Sequence, residues 1–181
     1  TVTVSGDGWA ANEGATYNVT GSQTDVGESN NTFTYILNNN TLAGDYDITT
    51  VNGLLTVTQN TTPITITTLD GEKTYDGTPL TVSNYTYTQN VLAEGDVLTV
   101  TLNGTQTAAG SSSNTIESYS VMRGNDDVTS FYTFSNPVLG TLTVNRRAVT
   151  LTSATESRMY NGSALTNNTV TVTGDGWATN E

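Results

Sequence analysis

The chain is 181 residues long, Thr makes up about a fifth of it, and 17 acidic against 5 basic residues give a formal net charge of −12. That balance, with no basic cluster, repels a phosphate backbone and excludes nucleic acid as a partner. The absence of Cys and His removes disulfides, thiolate and imidazole metal sites and the usual general base, and no apolar run is long enough to span a bilayer.

In chain order, the opening TVTVSGDGWAANE (1–13) recurs as TVTVTGDGWATNE (169–181), changed only at Ser5 against Thr173 and Ala11 against Thr179. VTGSQTDVGESNNTF (19–33) recurs as LNGTQTAAGSSSNTI (102–116), pairing Gly21 with Gly104, Gln23 with Gln106 and Asn31 with Asn114. NGLLTVT (52–58) recurs as LGTLTVN (139–145), and PITITTLDGEKTYDGTPLT (63–81) recurs as AVTLTSATESRMYNGSALT (148–166). The spacing describes a repeat of about 84 residues, traversed twice between the two GDGW motifs. Residues 63–146 are then a complete unit, 1–62 a unit without its first strand, and 147–181 the opening of a further one. The chain is expected to be a piece of a longer array.

Within the complete unit, strands are expected near 64–68, 83–89, 96–104, 114–122, 130–135 and 139–145, with a short one around 73–75. ITIT and LTVTLNG alternate apolar and polar residues, as half-buried strands do. YDGTP, NGT, AAGSSSN and RGNDD carry the turn residues between them, and Thr61, Thr62 and Pro63 form a short tether between units. Thr, Val and Tyr favour strands and no stretch carries apolar residues at helical spacing. The expected fold is all-β: tandem immunoglobulin-like β-sandwich repeats, with β-grasp-like modules as the alternative, strung into an elongated rod.

KTYDGTPLT (73–81), EGDVLTVT (94–101), GSQTDVG (21–27), AGDYDITTVNGLLTV (43–57) and NPVLGTLTV (136–144) resemble the MBG/YDG-type tandem repeats of bacterial surface proteins and adhesins. The resemblance covers both repeats. It implies extracellular immunoglobulin-like or β-grasp-like modules that serve as stalks and adhesive spacers, with no catalytic site. MYNGSALT departs from the pattern, since Asn161 replaces the Asp of YDG.

Four tyrosines are structural candidates. Tyr46 and Tyr132 precede a last strand, where sandwiches tie a Tyr hydroxyl back to the backbone, and Tyr75 and Tyr160 precede an NG or DG turn as core or interface residues. Trp9 and Trp177, equivalent in GDGW, are binding candidates: exposed indoles beside Asp and Gly stack on sugar rings, while the competing reading has them covering a joint between repeats. The acidic turns GNDD, GDYD and LDG offer hard oxygens to calcium, with solvated turn acids as the competing account. Otherwise no cofactor and no metal site is expected. Lys73 is the one candidate for an isopeptide crosslink, and Arg158 stands at its equivalent position.

Repetition of a module argues for mechanical length over one-site catalysis. The expected function is a non-catalytic stalk or spacer on a bacterial cell surface, whose partners are neighbouring repeats and head-to-tail copies of itself joined by strand complementation. The alternative is an adhesive module for glycans or host protein.

Overall fold

A computed structural model describes residues 1–179 and 181. Its contacts divide the chain into two compact units, Thr1–Thr61 with Ser130–Thr133, and Thr62–Thr129 with Phe134–Glu181. The strands are β1 (Ala15–Val19), β2 (Gly27–Asn31), β3 (Phe33–Leu37), β4 (Gly53–Val57), β5 (Asn60–Ile64), β6 (Ile66–Thr68), β7 (Gly71–Thr74), β8 (Tyr85–Tyr87), β9 (Asp96–Leu102), β10 (Gly110–Ser113), β11 (Ile116–Arg123), β12 (Asp126–Asp127), β13 (Tyr132–Phe134), β14 (Thr141–Asn145), β15 (Val149–Ser153) and β16 (Val170–Gly174). Two 3-10 turns, Ala43–Asp45 and Thr129–Phe131, complete the regular structure, and no α-helix occurs among the described residues. The fold is therefore all-β.

In the first unit β1 pairs antiparallel with β3, setting Tyr17 opposite Tyr35. β2 pairs antiparallel with β4, setting Ser29 opposite Leu55 and Asn31 opposite Gly53. Gln59 Nε2 donates to the carbonyls of Ser130 and Tyr132, which fastens residues 130–133 to this unit.

The second unit is more fully paired. β14 lies between β10, which is antiparallel to it, and β7, which is parallel to it. β9, β11 and β12 form a second sheet, with a register shift between Ile116 and Ser118. β6 pairs with β8, and β15 pairs with β16. Alternation decides the faces: along β14, Leu142 and Val144 are buried while Thr141 and Asn145 are exposed. Ile64, Ile66, Leu98, Val121 and Val128 join them in the core, where burial of each branched side chain stabilises by about 1.5–3 kcal/mol.

Two expectations change. AAGSSSN, read as a turn, contains β10, because the Ser113, Ser112 and Ser111 backbones complete the ladder of the apolar β14 despite their own low β-propensity. Thr61, Thr62 and Pro63, read as a tether, lie inside β5. There the missing N–H of Pro63 removes one ladder donor, which confines such a residue to a strand with an open side.

The same registers recur along the chain. Gly27 opposite Val57 and Ser29 opposite Leu55 become Gly110 opposite Val144 and Ser112 opposite Leu142. Ile66 opposite Tyr87 and Thr68 opposite Tyr85 become Leu151 opposite Val172 and Ser153 opposite Val170.

Candidate functional site

The TYDG motif builds a turn held by side chains. Asp76 Oδ1 accepts from Thr78 N at 2.9 Å and Thr78 Oγ1 at 2.8 Å, an Asx turn. Lys73 Nζ lies 2.6 Å from the same oxygen and also donates to the Thr78 carbonyl at 2.5 Å. The Lys73 ammonium, followed by the Thr78 donors, holds the Asp76 carboxyl well below the usual carboxylate range. In the next repeat Ser163 N donates to Asn161 Oδ1 and Arg158 Nη2 to the Ser163 carbonyl. The turn survives without the ion pair, so its acid acts as a backbone acceptor that an amide replaces. Lys73 is engaged in this turn.

The tyrosines divide. Tyr46 accepts from Ala10 N at 3.0 Å and donates to Glu13 Oε2, and the Glu13 hydrogen bond raises its pKa. Tyr132 is buried. Tyr75 donates to Glu181 Oε1 at 2.7 Å, which raises its pKa, and its carbonyl accepts from Arg147 Nη1 at 3.0 Å. Tyr160 is 96% exposed and is not a core residue. Tyr75 follows β7, which is anchored on β14, whereas residues 156–159 pair with no strand among the described residues.

The two tryptophans sit in different surroundings. Trp9 Nε1 donates to Tyr17 Oη at 3.0 Å, and its ring meets the Tyr46 ring edge-on at a centroid distance of 4.8 Å. Trp177 is 56% exposed. It lines a shallow depression of about 410 Å³ with Tyr75, Arg147 and Glu181. No group of three or more His, Cys, Asp or Glu side chains gathers among the described residues to hold a metal ion.

A fully buried polar side chain in the second unit went unread in the sequence. Asn114 is fully buried; its Nδ2 donates to the carbonyls of Leu69 at 3.0 Å and Val82 at 3.1 Å, and its backbone carbonyl accepts from Thr68 Oγ1 at 2.8 Å, while its Oδ1 has no hydrogen-bond partner among the described residues. Gly140 N donates to that same Thr68 hydroxyl at 2.9 Å. The backbones approach too closely for side chains here: a Cβ on Gly140 would fall 2.5 Å from the Leu69 carbonyl, and one on Gly104 would fall 2.5 Å from Asn114 Oδ1. The signal was the alignment of Gly21, Asn31 and Gly53 with Gly104, Asn114 and Gly140, in stretches rich enough in Gly and Ser to read as turns.

In the first unit the same frame stands open. Gly21 still packs against Asn31, at 2.5 Å from an added Cβ to Asn31 Cα, but Gly53 meets nothing closer than Asn31 Cβ at 3.8 Å. The Asn31 carboxamide has no hydrogen-bond partner among the described residues. Leu55 and Val57, the counterparts of the buried Leu142 and Val144, are only half-buried. An open cleft of about 750 Å³ lies here, lined by residues 1–9 together with Asn31, Phe33 and Gly53.

Comparisons with protein-family models, curated proteins and solved structures give no match for this chain.

Proposed function

We propose that the chain is part of a non-catalytic extracellular stalk: tandem immunoglobulin-like β-repeats in a bacterial surface adhesin or fibre, arranged as a rod and joined head to tail by strand complementation. The observation that carries this reading is the recurrence of strand registers, with β2–β4 repeated as β10–β14 and β6–β8 as β15–β16. A module whose pairings repeat at a fixed interval adds length per copy, and its neighbours are its main partners. The resemblance of TYDG, GDVLTVT and GTLTV to MBG/YDG repeats points the same way. The acidic, Thr-rich surface keeps such a stalk soluble and discourages lateral association.

The test is surface labelling of intact source cells with antibody to the chain, combined with a glycan array and a host-protein pull-down. Surface exposure with no Trp-dependent binding is the expected result; an intracellular location overturns the stalk. The second reading, an adhesive module for glycans or host protein, draws on the exposure of Trp177 beside Tyr75 and Arg147. Tight binding abolished by Trp177→Ala decides for it.

A further inference from the structure

Within residues 63–146 an opening and a closing segment run side by side in the same direction. β7 is parallel to β14, with Gly71 opposite Leu142 and Thr74 opposite Asn145, whereas the ladders of β9 with β11, β6 with β8 and β10 with β14 are antiparallel. The parallel run extends beyond that ladder. Upstream, Ser135 N donates to the Ile64 carbonyl at 3.0 Å, Val138 N to the Ile66 carbonyl at 2.9 Å, and Thr68 N to the Val138 carbonyl at 3.0 Å. Downstream, Tyr75 N donates to the Asn145 carbonyl at 2.8 Å. The seam therefore joins residues 64–75 to residues 135–145.

Side chains bridge a break in it. β6 ends at Thr68 and β7 begins at Gly71, which interrupts the backbone ladder. There Gly140 N donates to Thr68 Oγ1 at 2.9 Å and Thr141 N to Asp70 Oδ1 at 2.7 Å. Asn145 Nδ2 donates across the seam to Glu72 Oε1 at 2.6 Å. Ile64, Ile66, Leu142 and Val144 are buried along the same run, and hydrogen bonds in such low-dielectric surroundings are stronger than those open to water.

We propose that this seam is the load-bearing element of the repeat, a clamp loaded in shear when the array is under tension. The inference rests on the stalk reading above, which supplies the tension, and it names the part that resists it. Because the two segments are parallel, the chain enters the seam at Ile64, at one end, and leaves it at Asn145, at the other. Tension draws one segment along the other, so the bonds share the load and must break together. Peeling from a single end breaks them one at a time. The connections carry force with little slack: Thr58 and Gln59 separate β4 from β5, Thr65 separates β5 from β6, and residues 146–148 separate β14 from β15. β4 and β14 hold equivalent registers, so each closing strand leads almost directly into the next opening strand.

The test is single-molecule pulling on the whole chain, which has no native cysteine and so accepts handles at introduced thiols. Pro63, Thr74 and Arg146 are exposed. Pro63→Cys with Arg146→Cys places the handles at opposite ends of the seam, and Thr74→Cys with Arg146→Cys places both at the same end. The first pair should rupture at a force about twofold or more above the second, because forced unfolding is set by the barrier along the path pulled. Asp70→Ala should lower the force for the first pair and leave the initial opening of the second unchanged, since its bond lies beyond those that peel first. Asp70→Asn, which keeps an acceptor for Thr141 N, should restore the force. Equal forces in the two directions overturn the proposal, as does an Asp70→Ala effect of the same size in both. The comparison of directions leaves Asp70 unchanged, so it decides even where Asp70→Ala does not fold. Either failure leaves the surface location as measured, and an intracellular location, which overturns the stalk, leaves these forces as measured.

Discussion

Asn31 and Asn114 are the same residue of the repeat in two states of satisfaction. Asn114 joins β6–β7, the strand-preceding segment at Val82 and β14, and its replacement leaves two part-buried carbonyls without their side-chain donor. Asn114→Ala is expected to cost about 2–4 kcal/mol, read from the urea transition of Trp177 fluorescence in a Trp9→Phe background. Asn31→Ala, in a cleft with no acceptor in reach, should change the Trp9 transition by no more than about 0.5 kcal/mol. Asp76 gives a second residue-scale prediction. Its folded pKa is depressed by Lys73 and the Thr78 donors, so the turn's stabilisation is present above the unfolded carboxylate value and is lost only as pH falls through the lower folded value. An NMR titration should show the Asp76 carboxyl titrating below an ordinary Asp, and Lys73→Met should move it upward. A midpoint unmoved by that change would remove Lys73 as the main cause.

At the scale of elements, how closely two backbones approach separates equivalent strands. Gly140 opens β14 against the Leu69 carbonyl, while Gly53 opens β4 with only Asn31 nearby. Gly140→Ala must push the β6–β7 connection away and should cost about 1–3 kcal/mol. Gly53→Ala should be neutral or slightly stabilising, by up to about 0.5 kcal/mol, through the entropy of the unfolded chain. Urea midpoints followed by the two tryptophans separately test the pair, and equal effects would remove the strand-contact explanation. β9 and β14 were legible in the sequence because DVLTVTL and TLTVN alternate under their own propensities. β10 was not, since GSSS becomes a strand only through β14, about thirty residues further on. The site was half legible for the same reason. GDGW and TYDG announce themselves locally, but the role of Asn114 depends on carbonyls more than thirty residues away, and an Asn beside Ser and Gly reads as a turn.

At the scale of the whole chain, the repeat offsets were readable from the letters alone, whereas the unequal burial of repeated residues was not, because it depends on which strands are present to cover them. Leu142 and Val144, on a strand paired on one side with β7, are buried, while Leu55 and Val57 remain half-buried. Among the described residues 1–61 no large apolar side chain is fully buried, in contrast with Ile64, Val121, Leu142 and Val144. Local opening costs scale with the apolar contacts that must be broken. Amides of β1–β4 should therefore exchange with deuterium at least tenfold faster than those of β9, β11 and β14, a gap of about 1.4 kcal/mol or more in opening free energy. The slowest amides should belong to β11 and β14, whose Val121 and Leu142 lie at the centre of the core. Uniform exchange across both units would mean that repeat strands are stabilised by their own pairing alone, without the cover that distinguishes Leu142 from Leu55.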